Sequence, residues 1–412
     1  MPPVASDPHG TLAPRDEVRR ELGTWDHGRP GPTVLVMAGV HGNEPAGITA
    51  VQRVLAHLQE HELPIAGRLC AFTGNLGALA KGVRFQARDL NRGWGEAAIA
   101  ALRQRAATAT AATATATAET ADAAMLSPED REQLELLERF EQVLRTASGP
   151  VVFVDLHTSS APGAPFLCLA DTIDNRRVGL ATGVPIILGI EETIDGAALE
   201  WFAHRGVVGL AAEGGQHRHP DTVGNHEAML WLLLQRVGLL RPGQVDLAPH
   251  RAHLVRTTAG VPGIVEIVHR HAIVPADRFV MAPGFTNFAP AAKGTLLAHD
   301  ARGEIRAPYA CRVLLPLYQA LGDDGYFLAR PVRAFWLHLA RWLRAARLHV
   351  VLPLLPGVRR DPDDPDTLLA DRRVARWFTT EIFHLLGFRR ERVRGERLAF
   401  SRRRSRPENA RL

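Results

Sequence analysis

The chain has 412 residues, of which 46% are hydrophobic and 23% are charged. These values are ordinary for a globular protein, and they exclude a largely disordered, a collagen-like or a coiled-coil chain. The length predicts two or three domains. Three cysteines exclude a disulfide scaffold and favour a reducing compartment.

The charge is unevenly distributed along the chain. From residue 331 to the end there are nineteen Arg against nine Asp and Glu, a balance of +10, so the remainder sums to −5 within an overall +5. We expect a basic extension with a role apart from the body. Nothing in these totals indicates a specific nucleic acid partner. The first residues lack the apolar core of a secretory signal, and no run of eighteen apolar residues occurs, so a cytoplasmic protein without a transmembrane segment is predicted.

Short apolar runs alternate with helical patterns through the first 250 residues. This alternation predicts an α/β domain with a mostly parallel or mixed sheet flanked by helices. Strands are predicted at Thr33–Val40, Arg68–Thr73, Val151–Val154, Pro185–Leu188 and Gly206–Ala212, and helices at Pro45–Leu58, Pro128 to about Arg145 and His226–Val237.

The remaining segments have a different composition. Residues 106–124 are almost entirely Ala and Thr and predict an exposed low-complexity insert. Gly and Pro interrupt short β-like stretches over 251–332, which predicts a small β domain. Residues 333–412 are expected to form a basic, partly helical extension. We thus divide the chain into an α/β domain (1–250), a small β domain (251–332) and this extension (333–412).

Several familiar chemistries are excluded by missing motifs. The chain has no G-x-S-x-G nucleophile elbow, no phosphate-binding G-x-x-x-x-G-K-[ST] and no C-x-x-C pair. Two His-Glu pairs, His61-Glu62 and His226-Glu227, lack the second histidine of a zincin helix. Both pairs are interpreted as surface residues.

A metal-binding pattern follows the first and third predicted strands. His41 and Glu44 come directly after the first strand, and the third strand ends in Asp155-Leu156-His157. Ligands of open α/β sheets bind beyond the carboxyl ends of strands. Two His and one Glu form the three-ligand set of a catalytic zinc site, and Asp155 is placed to orient His157.

Two further polar groups occur near strand ends. The segment Arg84–Arg92 concentrates three arginines, which hold carboxylates through bidentate hydrogen bonds. Glu213 ends an otherwise apolar strand, where an acid is costly to bury without a role. A carboxylate beside metal-bound water is the general base that a hydrolase needs.

Taken together, H-G-N-E, R-x-x-x-x-D-L-N-R, D-L-H-T and E-G-G-Q-H resemble the succinylglutamate desuccinylase/aspartoacylase family, a branch of the zinc carboxypeptidase-like fold. The resemblance spans roughly residues 33–330. It implies a zinc-dependent amidohydrolase that deacylates a small N-acyl amino acid. It implies one Zn²⁺ per chain held by His41, Glu44 and His157, with Glu213 as general base, Arg84 polarising the scissile carbonyl, and Asn91 and Arg92 binding the substrate carboxylate.

One position departs from the family pattern. Where the family enzyme that acts on acetylaspartate has a further carboxylate-binding Arg, this chain has Ala203, with Arg205 nearby. The acyl group and the amino acid therefore stay open, as does a homo-oligomeric state. A carboxypeptidase-like metallopeptidase and a non-catalytic metal-binding relative are the alternatives. For the basic extension, peripheral membrane contact and packing against the body are both considered.

Overall fold

The computed structural model describes residues 18–115, 126–319, 321–346, 348–362, 364, 367–371, 386, 388–394 and 397–402. The helices are α1 (Ala46–Glu60), α2 (Leu76–Lys81), α3 (Glu96–Thr115), α4 (Pro128–Thr146), α5 (Ile173–Gly179), α6 (Ile190–Thr193), α7 (Ala198–His204), α8 (Asp221–Arg236), α9 (Ala248–Thr257) and α10 (Ala334–Ala345). Short 3-10 turns lie at Leu90–Arg92, Leu180–Thr182, Pro275–Asp277 and Leu348–Leu354.

The strands of the first half are β1 (Glu21–Asp26), β2 (Thr33–Ala38), β3 (Arg68–Thr73), β4 (Val151–Ser159), β5 (Phe166–Leu169), β6 (Ile186–Leu188) and β7 (Val208–Gln216). Those of the second half are β8 (Ile264–Ala272), β9 (Val280–Met281), β10 (Ala289–Ala291), β11 (Leu296–Asp300), β12 (Gly303–Arg306), β13 (Cys311–Leu314), β14 (Asp324–Pro331), β15 (Val358–Arg360), β16 (Thr367–Asp371), β17 (Phe388–Arg394) and β18 (Arg397–Arg402).

An eleven-stranded mixed sheet organises the molecule, in the order β1-β3-β2-β4-β7-β5-β6-β8-β14-β13-β10. Strand β2 pairs in parallel with β3 and β4, and β4 pairs in parallel with β7. The parallel pairing brings the carboxyl ends of β2, β4 and β7 to one edge of the sheet. The predicted α/β class with a mixed, helix-flanked sheet is confirmed.

The apolar strands are buried on both faces of this sheet. All six residues of β2 are buried, which explains its uninterrupted apolar sequence. On one face Val152 and Val154 of β4 pack in a cluster with α1 and α8. On the other face Phe153 packs with Phe140 and Phe202 from α4 and α7. Helix α4 begins as predicted, because Ser127 forms a capping box with Asp130 and proline occupies the first turn.

The second half of the chain continues this sheet. Strand β8 pairs in parallel with β6, and β14, β13 and β10 follow it, so residues 251–332 do not form a wholly separate β sheet. Of the described strands in residues 251–332, only β12, β11 and β9 lie outside the main sheet, and they form a separate three-stranded sheet in that order. The sequence patterns identify the strands, but strand-to-strand pairing is a long-range property that they do not specify.

In the extension after residue 332, the described residues form strands as well as the helix α10. After α10 it forms a four-stranded antiparallel sheet, β15-β16-β18-β17, with its own apolar cluster that includes Leu368 and Phe400. In strand β18, Ala399 and Phe400 are buried and Leu398 is partly buried. Arg402 ends this strand, and residues 403–412 lie outside the described part of the chain.

The Ala/Thr segment also differs from the prediction. Helix α3 continues through residue 115, so the first half of the predicted insert is helical, and the rest lies outside the described residues. The strong helix propensity of alanine outweighs that of threonine here. Among the described residues, no helix is both long enough and apolar enough to cross a lipid bilayer.

Candidate metal centre and active site

His41 and Glu44 lie in a tight turn between β2 and α1. Gly39 has a φ of +70°, which favours glycine, and the Glu44 amide donates to the His41 carbonyl at 3.1 Å. Gly42 has no room for a side chain, because an added Cβ would lie 2.1 Å from the Ala78 carbonyl carbon. The turn therefore places His41 Nδ1 2.8 Å from Glu44 Oε1.

His157 reaches the same point from the neighbouring strand. Strand β4 extends beyond the predicted Val154, and its register with β2 places Leu156 opposite Ala38. His157 Nδ1 lies 3.4 Å from Glu44 Oε2, and the Thr158 amide donates to that same oxygen at 2.7 Å. One ligand atom from each of His41, Glu44 and His157 lies within 4.8 Å of the others, and no other such group occurs in the described part of the chain.

Each imidazole has a carboxylate on its far side. His41 Nε2 lies 3.2 Å from Asp89 Oδ1, and His157 Nε2 lies 2.8 Å from Asp155 Oδ2. Metal-binding histidines characteristically donate their second ring nitrogen to such an acid, which fixes the tautomer. The three residues therefore fit a divalent metal, with both Nδ1 atoms facing Glu44. The contact of Asp155 is as predicted, whereas Asp89 was not singled out from the sequence.

The protonation of this group follows from its charges. Burial alone would raise the pKa of Glu44, but His41 and His157 outweigh it and hold the pKa well below its usual value. Burial opposes the charged form of His157, yet Asp155 and Glu44 raise its pKa well above the usual value. The anionic Glu44 is the charge state that binds a cation, whereas His157 must be neutral to bind a metal, so metal binding would displace the proton that Asp155 and Glu44 favour there.

Glu213 lies opposite His157 on β7, with its side chain in the same pocket. Burial raises its pKa to about 7, while His157 lowers the pKa and Glu44 raises it. Its Oε2 atom is buried without a hydrogen-bond partner among the described residues. A carboxylate with a pKa near neutrality is suited to proton transfer.

A β-bulge directly follows Glu213. The register changes from His157 opposite Glu213 to Ser159 opposite Gln216, so β7 carries one extra residue. His226 of α8 packs behind the bulge, 2.4 Å from where a Cβ on Gly214 would lie. The prediction that His226 lies on the surface is wrong: it is fully buried, burial lowers its pKa to about 4, and neither ring nitrogen has a described hydrogen-bond partner.

The arginine-rich segment lines the pocket with Arg84, Asn91 and Arg92. Arg84 Nη2 lies 3.1 Å from Asp89 Oδ2, and Arg84 Nη1 lies 3.5 Å from Glu44 Oε1. The Asn91 amide nitrogen lies 3.3 Å from His157 Nε2, and its amide oxygen accepts from the Ala198 amide at 2.8 Å.

Arg92 contacts residues far away in the sequence. Its Nη2 lies 3.5 Å from Asp324 and its Nε 4.0 Å from Asp323. Both aspartates line the pocket and were not singled out from the sequence. By contrast, Arg205 does not line the pocket, because it stacks on Trp201 and pairs with Glu96. Arg205 therefore does not replace the carboxylate-binding arginine that stands at the position of Ala203 in the family enzyme that acts on acetylaspartate.

Residues 30–181 match the model of the succinylglutamate desuccinylase/aspartoacylase catalytic domain. Succinylglutamate desuccinylases from Yersinia enterocolitica and Yersinia pestis are each 38% identical over 69 and 63 residues, 17% and 15% of this chain. These matches cover 21% and 19% of the two proteins, so the chain spans about a fifth of the length of the curated relatives it matches.

Solved structures of the same family share the fold. A succinylglutamate desuccinylase/aspartoacylase from Rhodobacter sphaeroides matches with a TM-score of 0.52 at 18% identity, covering 74% of this chain and 87% of the other. A succinylglutamate desuccinylase from Chromobacterium violaceum matches with a TM-score of 0.50 at 18% identity, covering 74% and 86%. The resemblance that the motifs predict is therefore confirmed, because residues 30–181 match the model of the family's catalytic domain.

Proposed function

We propose that this protein is a zinc-dependent hydrolase that cleaves the amide bond of a small N-acyl amino acid. The observation that carries the proposal is the buried His41–Glu44–His157 group with Glu213 facing the same pocket. The family match supports an amide-hydrolysing deacylase. Three ligands from His and Glu are typical of a catalytic zinc site, which keeps a position open.

In the proposed reaction, each residue has a stated role. Zn²⁺ held by His41, Glu44 and His157 would acidify the attacking water and polarise the scissile carbonyl. Glu213 accepts the proton of that water and donates it to the leaving nitrogen as the C–N bond breaks. The Arg84 guanidinium stabilises the negative charge that develops on the carbonyl oxygen. The products are a carboxylic acid and a free amine.

Substrate binding is assigned to Asn91 and Arg92. Both line the pocket, and the Arg92 guanidinium can form two parallel hydrogen bonds with a carboxylate. To do so it must exchange its long contacts with Asp323 and Asp324 for the substrate. The pocket encloses about 180 Å³, which suits a small N-acyl amino acid better than the peptide chain of a carboxypeptidase-like substrate.

The test combines metal analysis with a substrate screen. Purified protein should contain one zinc per chain and should hydrolyse members of a panel of N-acetyl amino acids. The Glu213→Gln variant should keep its zinc and lose roughly 10²–10⁴-fold in turnover, because the amide cannot accept the proton. Glu227→Gln is the matched control, since Glu227 lies on α8 outside the pocket and pairs with Arg53.

Three results would contradict the proposal. Near-wild-type turnover of Glu213→Gln would assign the proton transfer to another group. Stoichiometric zinc with no hydrolysis of any N-acyl amino acid or peptide would instead favour a non-catalytic metal-binding relative. Hydrolysis of peptides in preference to N-acyl amino acids would support the carboxypeptidase-like alternative.

A further inference from the structure

One part of the pocket wall is apolar. Its side chains belong to a single hydrophobic cluster, so they form a continuous surface and not scattered contacts. The six residues that both line the pocket and pack in this cluster are Cys168, Ile190, Ile194, Ala211, Leu315 and Phe327.

This apolar wall begins directly beside Glu213. Ala211 precedes Glu213 by two residues on β7, so the two side chains lie on the same face of the sheet. Cys168 of β5 lies opposite Ala211 in the antiparallel register. Because Ala and Cys are small, they leave space next to the group proposed to transfer the proton. A chain attached to the scissile carbon would meet alkyl surface there.

The charges of the pocket are the second observation. Five carboxylates line it (Glu44, Glu200, Glu213, Asp323 and Asp324), whereas Arg84 and Arg92 are the only Arg or Lys among the described lining residues. Both arginines already face acids of the protein: Arg84 contacts Glu44 and Asp89, and Arg92 contacts Asp323 and Asp324.

These charges limit the number of carboxylates that the substrate can carry. With Arg84 assigned to the scissile carbonyl, Arg92 is left to bind one carboxylate, which an N-acyl amino acid already supplies. A second carboxylate on the acyl group would have no described arginine or lysine of the pocket to pair with. It would also lose hydration against the apolar wall, and burying an unpaired charge is costly.

Resting on the function proposed above, we propose that the acyl group is an uncharged, apolar chain that packs against Cys168, Ala211 and Ile194, and that the substrate carries a single carboxylate. Dicarboxylic acyl groups such as succinyl are then poor substrates. The specificity arises from differential contact with the wall in the transition state, as discrimination by single methylene groups does in other hydrophobic enzyme pockets.

The experiment compares different acyl groups attached to one amino acid. This amino acid is the one whose N-acetyl derivative is hydrolysed best in the panel of the preceding test. We expect kcat/KM to rise about fourfold for each methylene from acetyl to butanoyl. The 4-methylpentanoyl group has the size and branching of succinyl without its charge, and it should exceed succinyl by more than tenfold in kcat/KM. Equal or better turnover of the succinyl substrate would overturn the proposal.

Two variants locate the effect in the wall. Ala211→Leu should lower the ratio of kcat/KM for the butanoyl substrate to kcat/KM for the acetyl substrate by at least about tenfold, since the larger side chain fills the space beside Glu213. Ile194→Arg should raise the succinyl to 4-methylpentanoyl ratio, because it supplies the missing cation. Val255→Arg is the control, as Val255 is 69% exposed on α9 outside the pocket, and the ratio should not change.

The outcomes separate this inference from the proposed function. If no N-acyl amino acid is hydrolysed, the proposed function fails and this inference fails with it. If N-acetyl amino acids are hydrolysed and succinyl is preferred, the function stands and only the apolar acyl assignment is wrong. If kcat/KM depends on the chain length of the amino acid and not on that of the acyl group, the wall binds the leaving amino acid and the assignment is likewise wrong. Should a variant not fold, the wild-type comparison of succinyl with 4-methylpentanoyl still decides.

Discussion

His157 and Glu213 lie directly opposite each other on the parallel strands β4 and β7, so a metal-ligand candidate and a buried acid face one pocket from adjacent strands. The bulge that follows Glu213 ends the regular pairing of β4 with β7 at these two residues.

Metal binding should depend on the ligand His157 and on Asp155, the acid behind it. His157→Ala should abolish stoichiometric zinc, and Asp155→Asn should weaken zinc affinity by roughly 10–100-fold, since the acid orients the imidazole. Metal content after dialysis against a competing chelator measures both effects. His219→Ala is the control, because His219 is exposed and does not line the pocket. Full zinc retention in His157→Ala would remove His157 from the ligand set.

In the metal-free protein, Glu213 should make stability depend on pH. Its folded pKa of about 7 lies above the usual value of 4.5, so the folded state binds the proton more tightly than the unfolded state. Its contribution is therefore fully present below pH 4.5 and is lost as the pH rises to 7, at a slope of up to roughly 1.4 kcal/mol per pH unit. Glu213→Gln should remove this slope in urea unfolding curves. An unchanged slope would show that another group titrates in this range.

Gly214 should tolerate no side chain. A Cβ there would lie 2.4 Å from His226 Nε2, so Gly214→Ala must displace α8 or the bulge that holds Glu213. We expect a loss of about 1–3 kcal/mol in unfolding free energy, together with reduced turnover. Gly95→Ala is the control, because an added Cβ at Gly95 meets nothing within 4 Å. The double variant Gly214→Ala, His226→Ala should recover part of the loss, and equal effects of the two glycine substitutions would contradict this account.

The extension after Val332 should stabilise the body without forming the metal centre. Arg344 of α10 contacts the buried Asp171, with Nη2 2.8 Å from its carboxylate. A protein ending at Val332 should keep stoichiometric zinc but unfold at a lower temperature, because the Asp171 carboxylate loses this partner. Thermal unfolding and metal analysis measure the two effects. Loss of zinc on truncation would make the extension part of the catalytic fold.

The local sequence determined much of the site. The spacing of His41 and Glu44 is three residues, and Gly39, whose φ is +70°, permits the turn between β2 and His41 through local backbone sterics. The apolar runs before His157 and Glu213 identify buried strands, and the cap at Ser127 identifies a helix start. These features depend on neighbouring residues, so a single sequence can predict them.

The tertiary structure alone decided which distant groups meet. Arg92 and Asp324 are 232 residues apart, and no local pattern specifies their contact. His226 has the sequence of an exposed helix residue, yet α8 packs it against a glycine that leaves space for its ring. The continuation of the central sheet from β6 into β8 likewise follows from strand register. Which strands pair and which distant residues contact each other are set by long-range packing, which composition and periodicity do not encode.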